Sequence, residues 1–399
     1  MNLVADTEIL NQPAESQPLA EKVILLLVRD LLGLGWQFQT TNHNSFEIIP
    51  PTAYSKDIIK KSMIFSRNER IKRDQFWISE HIVEAQKNLA SGIDVLKSKI
   101  QPRIEVCETE KQHNLFRVLR YYWSSPASDY VGRRIRILLR DDALPESPII
   151  GIAALGSSII HIPRRDKYIG WDIKTRTNKI ASIMDAYVIG ALPPYSFLLG
   201  GKLVSYSLAS NELRKIYKEK YRDAETIIKK RKISDLALIM TTSLYGNHSS
   251  QYNRLNYGKQ PLYRNIGVTA GYGSLHISNE TFKEMFKLVI ERGITVTNKF
   301  GDGPNWRMRV IRSACDLLEL DSDVILKHSF PRGLYLVPLA TNWRKYLQGK
   351  SDVLEYRNLP LEILSQHWHD RWFAMRKSNP DIVKEVKAFT PDHFSIAEI

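Results

Sequence analysis

A chain of 399 residues, 43% of them apolar, can bury one large or two modest cores, which excludes a disordered tail. Lysine and arginine number 57 against 43 acidic residues, and the formal charge of +14 points to an anionic partner: nucleic acid first, then an anionic membrane or an acidic protein. Two cysteines far apart, Cys107 and Cys315, and no stretch approaching the roughly 20 apolar residues of a bilayer span exclude a disulfide scaffold, a cysteine metal knuckle and a membrane-embedded chain.

The opening "MNLVADTEIL" has no basic segment ahead of an apolar run, so export is not expected and the reducing cytoplasm is the predicted compartment. From Leu19 to Leu34 apolar residues fall at helical spacing, and Gly33 and Gly35 end the run. Pro50 and Pro51 separate this helix from a proline-free stretch, Ser55 to Ile100, that keeps a helical period and divides near Gly92. Its first half carries Lys60, Lys61, Arg67, Arg70, Lys72 and Arg73. Arg67, Arg70 and Arg73, three apart, share one side, which either faces phosphates or is a solvated helix face.

Beyond Pro126 the texture turns to short β-rich runs: "GRRIRILL" (132–139), "PIIGIAALG" (148–156) and "IIHIP" (159–163). "KIASIMDAYVIGAL" (179–192) leads into "PPYSFLLGGKLVSYSL" (193–208), a glycine turn opening a long helical pattern to Tyr221. A basic connector (229–232) precedes two more strands, in "DLALIMTTSLYG" (235–246) and "YRNIGVTAGYGSLHI" (263–277). Strand, glycine turn, helix and strand make an α/β unit. The predicted organisation is a helical basic region over 1–115, an α/β core with a mixed sheet over 116–290, and an α-rich extension over 291–399 packed on that core.

Four segments carry candidate chemistry. In the glycine turn, backbone N–H groups and the positive end of the helix dipole suit an anion. Gly200 and Gly201 would let the backbone approach a phosphate, Lys202 adds charge, and Tyr195 completes the candidate anion or cofactor loop. A Walker loop needs a glycine five positions before its Gly-Lys pair and a hydroxyl after it; Ser196 and Leu203 stand there, so that motif is absent. The competing reading is close helix–strand packing with Lys202 as a surface charge. N-acetyltransferase-like folds also hold a coenzyme pyrophosphate on a strand-to-helix turn, and the order of elements fits one, although the usual Arg/Gln-x-x-Gly-x-Gly/Ala signature is missing.

In "RRDKYIGWD" (164–172), Arg164, Arg165 and Lys167 can meet phosphates while Trp171 stacks on a base. Alternatively Asp166 and Asp172 join Asp185 as oxygen ligands for Mg²⁺, as in a nuclease, or arginines and aspartates simply brace a turn. "TTSLYGNHSSQYNRL" (241–255) clusters Ser249, Ser250, Tyr252, Asn253 and Arg254 after a strand, where an α/β ligand crevice lies. His248 beside Ser249 lacks the Gly-x-Ser-x-Gly elbow of a hydrolase. "FGDGPNWRMRVIR" (300–312) sets Asp302 between glycines, then interleaves Trp306 with Arg307, Arg309 and Arg312. In "HWHDRWFAMR" (367–376) two histidines at i and i+2 diverge on a helix rather than chelate.

These blocks, with "GIAALG" and "IGVTAGYGSLHI", stand in an order and spacing that resembles the Druantia protein DruA family over roughly Arg117 to Arg376. The resemblance implies anti-phage defence beside other system components, a large helicase-like protein among them, and contact with DNA. The leading expectation is therefore a defence protein that holds nucleic acid through Arg164, Arg165, Lys167, Trp171, Arg254, Trp306, Arg307 and Arg309. The alternatives are a Mg²⁺-dependent nuclease using Asp166, Asp172, Asp185 or Asp302, an acyltransferase-like or coenzyme-binding protein, and a scaffold for an acidic partner.

Overall fold

The computed structural model describes residues 18–40, 46–51, 55–124, 132–225, 233–244, 250–274, 276–297, 304–328 and 330–397. The strands in chain order are β1 (Gln37–Thr40), β2 (Phe46–Ile49), β3 (Pro102–Val106), β4 (Arg134–Asp141), β5 (Ile149–Ser157), β6 (Ile183–Ala191), β7 (Leu238–Ser243), β8 (Asn256–Tyr257), β9 (Gln260–Pro261), β10 (Arg264–Val268) and β11 (Gly333–Pro338). Seven of them form a mixed sheet in the order β10-β11-β7-β6-β5-β4-β3. The expected α/β class with a mixed sheet is thus what the chain adopts.

Every neighbouring pair in that sheet is antiparallel except β6 and β7. These two run parallel and pair only from Ile183 to Ala186 against Leu238 to Thr241. At the same level the register of β6 against β5 shifts around Tyr187. Beyond Ala186 the two strands are no longer bonded, so the sheet opens toward their carboxyl ends.

The sheet is covered on both faces, which is why β5 reads as a continuous apolar run instead of an alternating one. On one face Val204 and Tyr206 of the helix Gly200–Ser207, with Trp368, Trp372 and Phe373 near the C-terminus, pack on Ala153, Leu155 and Met184. On the other, Leu115, Phe116 and Leu119 of the helix Glu110–Arg120 pack on Leu138, Ile152 and Val188, with Ile71 and Ile78 of the helix Lys56–Lys87. A separate core joins the helices Leu19–Leu32, Asn279–Glu291 and Pro304–Leu317. No helix among the described residues is long and apolar enough to cross a membrane.

Three local expectations are corrected. The long helical pattern to Tyr221 is two helices, Gly200–Ser207 and Asn211–Lys220, because the Ser210 side chain caps the second by accepting from Leu213 N at 3.2 Å. Residues 159–163 form no strand, since Pro163 starts the helix Pro163–Ile169 and the Ile159 and Ile160 carbonyls are taken by Arg165. Arg67 does not share a solvated or phosphate-facing side: it is 2% exposed and donates to the carbonyls of Tyr121 at 2.9 Å and Ala397 at 2.7 Å.

Candidate functional site

Where β5 ends, the chain turns through Ser158 into the helix Pro163–Ile169, and a charged network forms around Arg165, which is fully buried. Its guanidinium donates to Asp166 Oδ1 at 2.9 and 2.7 Å, to Ser158 Oγ at 2.9 Å and to the Ile159 carbonyl at 2.8 Å. Ser158 in turn donates to Asp185 Oδ1 at 2.6 Å, and the Ile159 amide donates to Asp185 Oδ2 at 3.0 Å. Burial pushes the Asp185 carboxyl up to about 6 against these donors and the nearby Arg165. A guanidinium therefore links Asp166 to Asp185, directly on one side and through a hydroxyl on the other.

Asp172 stands apart, capping the helix Ile173–Lys179 by accepting from Thr175 N at 2.6 Å, which holds its carboxyl below the usual range. Asp302, His248, Ser249 and the connector at 229–232 lie outside the described residues. Among the described residues no group of three His, Cys, Asp or Glu is placed to hold a metal ion.

Outside this network is an open cleft of about 860 Å³ lined by His161, Asp166, Lys167, Trp171, Lys174 and Arg176. Asp166 faces inward and is paired: its Oδ2 accepts from Arg176 at 3.0 Å and lies 3.1 Å from His161 Nδ1. Trp171 is fixed by its Nε1, which donates to the Leu347 carbonyl at 2.6 Å. Arg164 and Lys167 are exposed, Arg164 steadied by a 3.0 Å bond to the Ile266 carbonyl.

The glycine loop is built differently. It follows β6 through the cis peptide Pro193–Pro194 and Leu199, whose φ is 61°, into the helix Gly200–Ser207. Tyr195 is buried and donates its hydroxyl to Asp141 Oδ2 at 2.9 Å, so it anchors the loop from inside. Gly200 is needed for close approach, because a Cβ there would lie 2.7 Å from the Tyr195 carbonyl oxygen.

Lys202 is not the surface charge of the competing reading: it is 6% exposed, with Nζ 4.5 Å from the Trp372 ring centroid. Burial, followed by repulsion from Arg254 and Arg371, pushes its ammonium down to about 8. Arg371 lies over the same indole, its Cζ 4.8 Å from the centroid. Arg371 and Trp372 both lie within a π-helical turn, His369–Phe373.

The remaining predicted contacts divide. Arg307 donates to the Ile277 carbonyl at 2.7 Å, the Ser278 carbonyl at 3.1 Å and Asn279 Oδ1 at 3.0 Å, and burial lowers it to about 10. Trp306 packs edge-on against Phe282 and Phe286 while its Nε1 donates to the Val296 carbonyl. Arg309 is exposed and bonded to the Thr297 carbonyl at 2.6 Å. Arg254 is exposed beside the glycine loop, well away in sequence from the cleft at 161–176. Sequence reasoning missed His161, Lys174 and Arg176 in the cleft and Gln251, Arg371 and Trp372 at the loop. The interleaved "HDRW" of residues 369–372 was the available signal, set aside with the histidines.

The family model described as Druantia protein DruA matches residues 53–349. A curated protein of that name from Escherichia coli (strain UMEA 4076-1) is 34% identical over 332 residues, spanning 82% of this chain and 81% of its own length. No solved structure matches.

Proposed function

The chain belongs to the Druantia protein DruA family and is thereby a component of an anti-phage defence system; from that premise we propose that it engages nucleic acid through the phosphate backbone, in the cytoplasm and beside a helicase-like component. The observation that carries the reading is the cleft at 161–176. Exposed Lys167 and Lys174 border it, Arg164 stands next to it, and Trp171 supplies an aromatic wall. Cations for phosphates and a ring for a base are the two elements of sequence-tolerant binding. The acid at the bottom, Asp166, is already matched by Arg165 and Arg176, so it does not repel a polyanion.

Labelled duplex and single-stranded DNA titrated at several salt concentrations test this. Affinity is expected to fall steeply with salt, and Lys167→Ala with Lys174→Ala to flatten that dependence by about two phosphate contacts. An affinity indifferent to salt, or unchanged in the double variant, would sink the reading.

A second reading, an N-acetyltransferase-like protein that binds an acyl-coenzyme, is supported by the way β6 and β7 part after four paired residues with a glycine turn and helix N-terminus beyond β6. Calorimetric titration with acetyl-coenzyme A checks it; no heat at millimolar ligand removes it.

A further inference from the structure

Three cations with no acid among them meet at the N-terminal end of the helix Gly200–Ser207. Lys202 is 6% exposed, and the groups that act most on its ammonium are two further positive charges, Arg254 and Arg371. Among the described residues no ion pair includes any of the three, and the compensating contact of Lys202 is the indole of Trp372. Two guanidiniums that sequence alone offered as phosphate contacts are by contrast taken up by the protein: Arg165 by Asp166, Ser158 and two carbonyls, Arg307 by two carbonyls and an amide. Burying an ammonium beside like charges is costly unless an anion joins it, and a cation–π contact offsets only part of that cost.

The backbone completes the arrangement. First-turn amides of a helix have no intrahelical acceptor. Gly200 N donates to the Tyr195 carbonyl and Lys202 N to the Leu199 carbonyl, which leaves the Gly201 amide. Gly201 is also where the backbone is open: a Cβ would meet only the end of the Gln251 side chain, at 3.2 Å. Gln251 and Arg254 belong to the 3-10 turn Gln251–Arg254, whose Gln251 reaches Gly201, and the glycine loop follows the carboxyl end of β6 in the parallel pair, the end at which ligands of open sheets bind. The π-helical turn that brings Trp372 and Arg371 to the same spot is a feature often found at functional sites.

We propose that the Gly201 amide, Lys202, Arg254 and Arg371 bind the diphosphate of a small phosphate ester, of the nucleoside-diphosphate class. Three positive charges match the two to three negative charges of a diphosphate ester gathered in one place, whereas a nucleic-acid strand presents them one at a time along its length. A lysine buried this deeply is within reach of a small molecule and not of a duplex. The inference goes beyond the nucleic-acid reading and deepens the coenzyme reading at the same turn, but it does not fail with that reading, since pyrophosphate or ADP binding needs no acyl group.

The test is calorimetry on the full-length protein with inorganic pyrophosphate, ADP and coenzyme A, using sulfate at equal ionic strength as the control. Binding of at least one diphosphate, raising Tm where sulfate does not, is expected. Arg254→Ala and Arg371→Ala, both at exposed side chains, should each weaken it by about tenfold, as loss of a charge-assisted hydrogen bond does. Equal affinity for all three probes supports a site that reads the phosphates alone, and tighter ADP or coenzyme A supports one that also reads the organic part. The inference is overturned if no diphosphate binds better than sulfate, or if binding survives unchanged in the double variant. It is equally overturned if the double variant loses DNA affinity while the wild type ignores all three diphosphates. Failure of the nucleic-acid reading is scored separately, by Lys167 and Lys174, which lie in the other cleft.

Discussion

Gly200 and Gly201 are adjacent and serve different ends. A methyl on Gly200 would stand 2.7 Å from the Tyr195 carbonyl oxygen and 3.1 Å from Ala191 Cβ, neither of which can rotate away. Gly200→Ala is therefore expected to cost about 1–3 kcal/mol of stability, as overpacking does. At Gly201 the added methyl meets only a movable side chain, and alanine favours a helix over glycine by about 1 kcal/mol, so Gly201→Ala should leave Tm unchanged or raised. Paired thermal melts decide it: equal losses at both positions would contradict the assignment of packing to one glycine and openness to the other. Nothing in "GGK" tells the two apart, because what distinguishes them, Tyr195 folded back under the loop and Gln251 arriving from beyond β7, depends on tertiary placement. The same blindness made Arg165 and Arg307 read as phosphate contacts. Each is held by backbone carbonyls of a non-helical segment, and the letter R is identical whether its acceptors lie inside or in solvent.

At the level of elements, periodicity was informative wherever one face is buried and misleading where a polar side chain does the joining. Helix Lys56–Lys87 has no clean apolar stripe, yet Ile71, Ile78 and Ala85, seven apart, line one side and Arg67 extends it with its two carbonyl bonds. Its second tie is Asp74, which accepts from Arg73 at 3.0 Å, from Arg117 at 3.2 Å and from the Tyr121 hydroxyl, and so fastens it to the helix Glu110–Arg120. These donors, Arg73 first, hold the Asp74 carboxyl far below the usual carboxylate range. A group depressed in this way contributes stability in full above about pH 4 and loses it as the pH falls toward the lowered value. Asp74→Ala is expected to cost about 1.5–3 kcal/mol at pH 7, the range of hydrogen bonds to a charged group. Denaturant unfolding of wild type and variant from pH 7 to pH 2 checks both parts: the gap should narrow below pH 4, and a gap constant over the whole range would mean that packing, not the ion network, is what the substitution removes. The one long helix expected through Ser210 failed for a related reason, since a serine in a helical pattern reads as a tolerated interior residue until its hydroxyl is seen capping Leu213 N.

For the whole molecule, the sequence shows five strands of the sheet, β4 to β7 and β10, but neither β3 and β11, which lie in segments that read as helical, nor what closes it. Most strands announce themselves as apolar runs bounded by turns, whereas residues 291–399 read as an α-rich extension packed on the outside of a finished core. In the folded chain residues 361–397 are part of the interior. Leu361, Leu364, Trp368, Trp372, Phe373 and Val386 join the core on one face of the sheet, and Phe389 and Phe394 join the core on the other. The Gly92 amide donates to the Phe389 carbonyl at 2.9 Å, Gln86 to the Phe394 carbonyl at 3.0 Å, and Arg67 to the Ala397 carbonyl, so the C-terminal segment is fastened to the N-terminal helices as it passes from one face to the other. Burying each of these large side chains is worth about 1.5–3 kcal/mol. Eight of them together rival the whole net stability of a domain, about 5–15 kcal/mol. The family match ends at residue 349, before this segment begins, yet it supplies both the closing layer and the Arg371 of the cation centre. A chain ending at Pro360 is accordingly expected to lose cooperative unfolding and to aggregate, and with it any diphosphate affinity. Calorimetric melting and gel filtration of that truncation against the full chain are the measurements. A soluble, cooperatively melting monomer would show that the sheet is closed by residues before 360 and that the C-terminal segment is bound to a core already complete without it.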